Sequence, residues 1–186
     1  LNVENTTGKI DVTAGGKEIV VTMQKKGYGG SQADADAALA NLKIDLIQNG
    51  DAVTVKVAPQ TTNAQVDFTI TVPEQTAVVA SNAFGDLKLS KTKGDAELKT
   101  NAGSIRVSEV QGTVKVQSDF GDVRLESITA DSVEVRSNAG AIRLKQVKVK
   151  ETVTVKTDFG NVTLDQVIAK SYDLKTNAGK IDVNGA

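Results

Sequence analysis

Short stretches in which apolar and charged residues alternate recur along most of the chain. Val114-Lys115-Val116 and Val123-Arg124-Leu125 both follow this pattern. A period of two is typical of a strand with one buried and one solvated face. Asp119-Phe120-Gly121, a turn signal, lies between the two segments. The unit therefore predicts a strand, a turn and a second strand.

The turn returns at nearly constant intervals. Its glycine recurs in steps of 18, 18, 19, 20 and 19 residues, at Gly85, Gly103, Gly121, Gly140, Gly160 and Gly179. Constant spacing of turns is typical of stacked coils and has no cause in a β-sandwich. We therefore predict an all-β fold, a parallel β-solenoid (β-helix-like) with repeats of about 19 residues over residues 81–186. We expect the glycines to occupy positions of positive φ.

The residue before the glycine alternates between alanine and phenylalanine. Asn-Ala-Gly begins at residues 101, 138 and 177, and Asp-Phe-Gly begins at 119 and 158. If one coil holds one repeat, each phenylalanine stacks between alanines; if it holds two, phenylalanines stack on each other. We favour one repeat per coil, because a coil of two would need four strands around a wide core. Contacts between residues 19 or 38 apart distinguish the two.

Residues 1–80 predict a β-rich part that is continuous with the solenoid. One short α-helix is expected near residues 33–42, since Ser31 or Asp34 can cap it and alanines fill it. Strands at 42–48 and 52–57 flank Asn49-Gly50, a strong hairpin signal. This part is therefore expected to be partly antiparallel.

Both ends of the chain carry the repeat pattern. Leu1–Val12 contains the same turn and strand as Lys175–Ala186, and neither end has the pattern of a cap. An uncapped solenoid exposes unpaired strand edges, so the last rung of one molecule could accept the first rung of the next. Such a head-to-tail contact propagates into a filament. The residues predicted to form these assembly ends are Val3, Ile10, Val12, Ile181 and Val183.

The composition argues against catalysis. The 186 residues include no Cys, His or Trp, which removes the commonest bases, soft nucleophiles and transition-metal ligands. We predict a protein that is not an enzyme and that has no cofactor. The net charge is −1 and both signs are mixed along the chain, so the sequence does not predict a basic surface for binding nucleic acid. No apolar run is long enough to span a membrane.

Carboxylates in neighbouring turns are weak candidates for a calcium site. These are Asp119, Asp122 and Asp158. Calcium takes about six or more oxygen ligands, and the glycine–aspartate nonapeptide of calcium-binding β-rolls is absent. Capping of the turns is the favoured role for these side chains.

The alternative to a structural protein is a β-helix that binds or processes carbohydrate. Outward-facing basic residues could bind an acidic glycan, although a solvated face is the commoner reason for such charges. With four Phe and two Tyr, a platform for stacking sugars is hard to build. Carboxylates converging beside Tyr28 or Tyr172 in a groove would favour the alternative.

The order of these elements resembles a mainly bacterial family of putative adhesins of unknown function with β-strand repeats, similar in style to auto-transporter adhesin head domains. The resemblance rests on the helix at 34–42, the strand at 53–57, Phe68-Thr69-Ile70-Thr71-Val72-Pro73, and rungs such as Gly121-Asp122-Val123-Arg124-Leu125. It implies a parallel β-helix-like fold and no established catalytic residues. It also implies export, so we expect a secreted or cell-surface protein whose signal has been removed, and it implies no particular receptor. The partners expected from the residues themselves are a second copy, joined head to tail, or surface glycans and proteins.

Overall fold

We analysed the fold in a computed structural model, which describes residues 1–58 and 63–185. Residues 59–62 and Ala186, the last residue of the predicted terminal rung, lie outside the described residues. The helix is α1, Gln32–Asn41. The strands in the first half of the chain are β1 Asn2–Thr7, β2 Ile10–Ala14, β3 Val20–Gly27, β4 Lys43–Asn49, β5 Ala52–Ala58, β6 Ala64–Val72, β7 Val78–Phe84 and β8 Leu87–Ser90. The remaining strands are β9 Ala96–Ala102, β10 Ile105–Ser108, β11 Val114–Phe120, β12 Val123–Ala130, β13 Val133–Ala139, β14 Ile142–Val149, β15 Thr152–Phe159, β16 Val162–Ile168, β17 Ser171–Ala178 and β18 Ile181–Asn184.

The strands form two nine-stranded sheets that enclose one narrow core. The first sheet, sheet A, has the order β17-β15-β13-β11-β9-β7-β1-β5-β4, and the second, sheet B, has the order β18-β16-β14-β12-β10-β8-β2-β6-β3. Each coil contributes one strand to each sheet, so a rung of the stack is a pair such as β11 and β12. Valine, leucine and isoleucine at alternate positions fill the core, and Val114 and Leu125 are almost completely buried. The predicted parallel β-solenoid is confirmed.

The register shows that one coil is one repeat. Val114 lies opposite Ala96 on one side and opposite Val133 on the other, at separations of 18 and 19 residues. Phe120 lies between Ala102 and Ala139 in the same way. The interpretation of one repeat per coil is therefore confirmed.

The first residues of the chain form an interior rung. β1 pairs with β5 on one edge and β7 on the other, and β2 pairs with β6 and β8. The expectation that Leu1–Val12 forms an end of the stack is therefore corrected, and Val3, Ile10 and Val12 are buried in the core. The expectation assumed that the rungs stack in chain order. Instead, the segment from β3 to β6 turns back and adds two layers beyond the first rung.

The N-terminal part is partly antiparallel, as predicted. β4 and β5 form a hairpin around Asn49-Gly50, and β3 pairs antiparallel with β6. Helix α1 joins β3 to β4, and its first turn is capped by Ser31, whose Oγ accepts a hydrogen bond from the Asp34 N–H at 3.2 Å. β3 and β4 therefore form one end of the stack, and β17 and β18 form the other end among the described residues.

The turn glycines stack on each other at one corner of the solenoid, the glycine corner. The Gly121 N–H donates to the carbonyl of Ala139 in the next rung at 3.0 Å, and a Cβ built on Gly121 would lie 2.1 Å from the Gly103 carbonyl oxygen. The same close approach occurs at each of the other turn glycines. Gly160 is the exception in backbone conformation, and the other five of the six turn glycines have a φ between +130° and +155°: Gly85, Gly103, Gly121, Gly140 and Gly179. Glycine is thus required at this corner by the neighbouring rung as well as by the turn.

Replacing Gly121 by alanine tests the close approach separately from the backbone conformation. Gly15 has φ +150°, close to the +152° of Gly121, but has no atom within 4 Å of an added Cβ. We expect Gly15→Ala to lower the free energy of unfolding by about 1 kcal/mol. We expect Gly121→Ala to lower it by about 3 kcal/mol or more, because the neighbouring rung must shift. Urea unfolding of both variants measures this, and equal losses would contradict it.

Asp67, on β6, forms hydrogen bonds to the turn between β1 and β2 and to β3. Its Oδ1 accepts hydrogen bonds from the Lys9 N–H at 2.9 Å and Gln65 Nε2 at 2.7 Å, and its Oδ2 accepts one from Lys26 Nζ at 3.1 Å. Partial burial works to raise the pKa of Asp67, but the hydrogen bonds from Gln65, Lys9 and Lys26 outweigh it and hold the pKa below its ordinary value.

The lowered pKa of Asp67 predicts a pH-dependent contribution to stability. The contribution is present above the unfolded-state pKa of about 3.9 and is lost as pH falls through the lower folded-state pKa. The difference in unfolding free energy between the wild type and Asp67→Asn should therefore be largest at neutral pH and should shrink below about pH 4. Denaturant titrations from pH 7 to pH 2.5 measure it. A difference that does not change with pH would show that the carboxylate charge is unimportant.

Candidate functional site

The residues before the turn glycines form a column along the glycine corner. Stacking in register places phenylalanine and alanine alternately, in the order Phe84, Ala102, Phe120, Ala139, Phe159, Ala178. We call this the aromatic column. Its three phenylalanines are 52%, 65% and 67% exposed. Because strands lie about 4.8 Å apart, successive phenylalanines are separated by roughly 10 Å, with an alanine between them.

A row of amides and carboxylates runs beside the aromatic column on the outer face of sheet A. It consists of the residues one position earlier in the five rungs after that of Phe84, which has Ala83 there, and we call it the amide–carboxylate row: Asn101, Asp119, Asn138, Asp158 and Asn177. Asn177 Nδ2 donates to Asp158 Oδ1 at 2.6 Å, and Asn138 Nδ2 donates to Asp119 Oδ1 at 3.4 Å. The alternation places an amide between the two carboxylates, which keeps like charges apart.

The next outward position on sheet A carries mainly basic residues. We call this the basic row: Lys99, Gln117, Arg136, Lys156 and Lys175. Arg136 pairs with Glu134 at 2.6 Å and Lys156 with Asp173 at 2.7 Å. Lys99 and Lys175 form no salt bridge with any residue in the described ranges. A shallow groove of about 220 Å³ lies between this row and the amide–carboxylate row, lined among others by Arg136, Asn138, Lys156, Asp158, Lys175 and Asn177.

A second set of stacked cations lies across the glycine corner, on the outer face of sheet B. It contains Lys88, Arg106, Arg124 and Arg143 in consecutive rungs. Carboxylates offset these charges: Asp11 lies 3.0 Å from Lys88, Asp86 lies 3.9 Å from Arg106, and Asp122 lies 3.7 and 3.5 Å from Arg124 and Arg143. The aromatic column is therefore flanked by cations on both sheets.

The three calcium candidates lie in different surroundings. Asp119 and Asp158 belong to the amide–carboxylate row and are separated by Asn138. Asp122 lies on the other side of the turn, where its Oδ1 accepts the Ala141 N–H at 3.0 Å and its Oδ2 faces two arginines. The structure does not bring the three together, and within residues 1–58 and 63–185 no cluster of three or more metal-ligating side chains occurs.

Inward-facing polar side chains below the glycine corner were not anticipated. Asn82 Nδ2 donates to the Gly8 carbonyl at 2.6 Å, and Thr176 Oγ1 donates to the Gly160 carbonyl at 3.2 Å. Ser118, Ser137 and Thr157 occupy the same buried position. The sequence does contain a signal for these side chains, because a Ser or Thr lies three residues before most turn glycines. The alternation of apolar and charged residues predicts that this position faces inward, but it does not predict a polar residue there.

Neither tyrosine lies beside converging carboxylates in the described part of the chain. Tyr28 lines a groove of about 820 Å³ whose one carboxylate, Asp34, accepts a hydrogen bond from Ser31 Oγ at 2.8 Å. The Tyr172 hydroxyl donates to the Val167 carbonyl at 2.8 Å and accepts from the Ala169 N–H at 3.0 Å, so it closes a turn. A third groove, of about 1030 Å³, includes Lys17, Glu18 and Asp51 but is lined by no aromatic residue.

The core columns are incompletely covered at both ends of the stack, although helix α1 packs against β3 at one of them. At the β17–β18 end, Ile181 and Val183 continue the buried columns of Val162 and Leu164, yet they are exposed. At the β3–β4 end, Leu46 lies opposite the buried Val55 and is 59% exposed. Met23 lies opposite the buried Phe68 and is also exposed. In each case a core position lacks the rung that would cover it.

Comparison with known proteins places this architecture in a family. The sequence profile of the Toastrack DUF4097 family matches residues 1–183. The chain belongs to this family. No curated protein sequence matches it. Among the residues that the structure describes, no helix is long and apolar enough to cross a membrane.

Two solved structures resemble this Toastrack chain. A putative adhesin from Bacteroides fragilis NCTC 9343 aligns with a TM-score of 0.57 at 16% identity, over 98% of this chain and 91% of that chain. A putative cell adhesion protein from Clostridium sporogenes ATCC 15579 aligns with a TM-score of 0.43 at 7% identity, over 98% of this chain and 90% of that chain. The first of these supports the solenoid fold.

The exposure of the aromatic column predicts that its rings contribute little to stability. Phe120 is largely exposed, and alanine already occupies the equivalent position in adjacent rungs. We expect Phe120→Ala to change the free energy of unfolding by less than about 0.5 kcal/mol. The buried Phe68 is the matched control, and Phe68→Ala should cost about 3–5 kcal/mol. Comparable losses in urea unfolding would show that Phe120 is needed for packing.

Proposed function

We propose that this chain is an exported, non-enzymatic, adhesin-like structural protein that assembles head to tail. The adhesin-like role and the location outside the cytoplasm are supported by the description of the Bacteroides fragilis neighbour as a putative adhesin. The absence of His and Cys from the sequence supports a role without catalysis. The observation that carries self-assembly is the exposure of apolar core positions at both ends of the stack.

The exposed apolar residues at the two ends belong to core columns. Ile181 and Val183 at one end, and Leu46 and Met23 at the other, face the same inter-sheet space that is filled in every rung between them. Large apolar side chains that are exposed together mark surfaces that another molecule covers. Joining the two ends would bury all four in one continuous core.

The strand edges at the two ends fit the same joint. β17 and β4 both belong to sheet A, and β18 and β3 both belong to sheet B, so each sheet would continue into its counterpart in the next molecule. β4 and β3 run antiparallel to the rungs they pair with, whereas β17 and β18 run parallel to theirs. Molecules related by translation along the stack would therefore pair through antiparallel strands. The joint is heterologous and builds a filament.

Variants blocked at one end test this proposal. Leu46→Lys places a charge at the β3–β4 end, and Val183→Lys places one at the β17–β18 end, which should prevent strand addition. We expect filaments of the wild type in negative-stain micrographs at high concentration, and monomers of each variant by light scattering. An equimolar mixture of the two variants retains one intact joint and should form dimers but no filaments.

A charge elsewhere on the molecule provides the control. Val79 is an exposed apolar residue on the side of the stack, and the neighbouring rung has Glu97 at the equivalent position. Val79→Lys should therefore assemble as the wild type does. A wild type that stays monomeric at high concentration would refute self-assembly, and filaments from either end-blocked variant alone would refute this joint.

A further inference from the structure

We propose that the aromatic column, with the amide–carboxylate row and the basic row beside it, binds an extended anionic polysaccharide, a β-linked polyuronate. The surface lies along the side of the stack and not at its ends. Binding there is independent of head-to-tail assembly.

The phenylalanines of the column have no structural role that explains them. Phe84, Phe120 and Phe159 are each more than half exposed. Ala102 and Ala139 occupy the same turn position in the rungs between them, so the turn does not require an aromatic ring. Exposed aromatic rings in a row are characteristic of a binding surface, because a ring offers a large apolar face at low entropic cost. The sequence suggested too few aromatics for a sugar platform, but the structure places three of the four Phe in one line.

The spacing of the rings matches an extended polysaccharide. Phenylalanines two rungs apart are separated by roughly 10 Å. In an extended β-1,4-linked chain, alternate sugars present the same face, and the disaccharide repeat is nearly this length. The apolar C–H faces of alternate sugars could therefore pack on Phe120 and Phe159, while Ala139 leaves room for the sugar between them. The column provides this period along a straight line, as such a chain requires.

The two rows beside the column provide the polar contacts. Asp119 and Asp158 each accept one amide hydrogen bond from the next rung, which leaves further lone pairs to accept sugar hydroxyls. The basic row places Lys175, which makes no ion pair with a described residue, in the groove, and Lys99 continues the row two rungs beyond Arg136. Carboxylates of a polyuronate would pair with these cations. The two rows carry four cations and two carboxylates, and Glu134 and Asp173 pair with two of those cations, Arg136 and Lys156.

A polyuronate fits this surface better than a single-stranded nucleic acid does. Both polymers are anionic, but a single-stranded nucleic acid has few hydroxyls for the carboxylates of Asp119 and Asp158 to accept, whereas each uronate sugar carries hydroxyls beside its carboxylate. A polyuronate satisfies the hydroxyl acceptors and the cations together.

Affinity electrophoresis tests the proposal directly. The chain is run in native gels that contain polymannuronate, a β-1,4-linked polyuronate, or hydroxyethyl cellulose, a neutral β-1,4-linked glucan. We expect polymannuronate to retard the wild type more than the neutral polymer does, with a retardation that falls as salt rises. The double variant Phe120→Ala/Phe159→Ala, which copies the alanine turns of adjacent rungs, should bind about tenfold more weakly.

Charge variants and competing partners separate the outcomes. Lys156→Gln/Lys175→Gln should weaken binding and its salt dependence, whereas Lys150→Gln, which removes an exposed lysine outside these rows, should not. Thermal melts confirm that the variants fold. The proposal is overturned if polymannuronate does not retard the wild type, or if the phenylalanine variant binds as well as the wild type. It is also overturned if single-stranded DNA binds more tightly, or if the phenylalanine variant instead loses a dimer.

Discussion

The contact on which the rest of the structure depends is the stacking of each turn glycine against the glycine of the neighbouring rung. The Gly121 N–H donates to the carbonyl of Ala139, and the Gly121 α-carbon approaches the Gly103 carbonyl too closely for a side chain. This contact recurs from Gly8 to Gly179, and it fixes the rungs in register at one corner. Side chains at equivalent positions consequently lie one above another, so a repeat in the sequence becomes a straight column on the surface.

Stacking in register gives the two kinds of surface that can act on other molecules. Along the side, alternation of Phe and Ala in the sequence produces rings at every second rung, with polar rows parallel to them. At the ends, the last apolar residues of the core columns have no further rung over them, so Leu46 and Val183 are exposed. We propose that the sides bind an extended ligand and that the ends join another copy of the stack.

Much of this fold could be predicted because local signals and the global arrangement agree. The spacing of the glycines predicted the coil, Asn49-Gly50 predicted the hairpin, and the helix begins after Ser31, one of its two predicted caps. The order of the rungs could not be predicted, because Leu1–Val12 has the same pattern whether it lies at an end or inside the stack. The position of this segment depends on two long-range pairings, of β1 with β5 and of β2 with β6. No local sequence signal marks either pairing.

The candidate surface was predictable only in part. Alternation of Phe120 with Ala102 and Ala139 was evident in the sequence, but whether the ring faces the core or solvent depends on the bend of the turn at Gly121. The division of the basic residues between the two sheets also depends on the turn. Arg136 and Arg143 are close in sequence, but the turn between them places Arg136 on sheet A and Arg143 on sheet B.

Amide hydrogen exchange at low and high protein concentration tests the central claim, that the stack continues from one molecule to the next. If the ends join, amides of β4 and β17 become protected as concentration rises, while those of the interior strand β11 exchange equally slowly at both concentrations. Exchange in β4 and β17 that stays fast at every concentration would contradict the account.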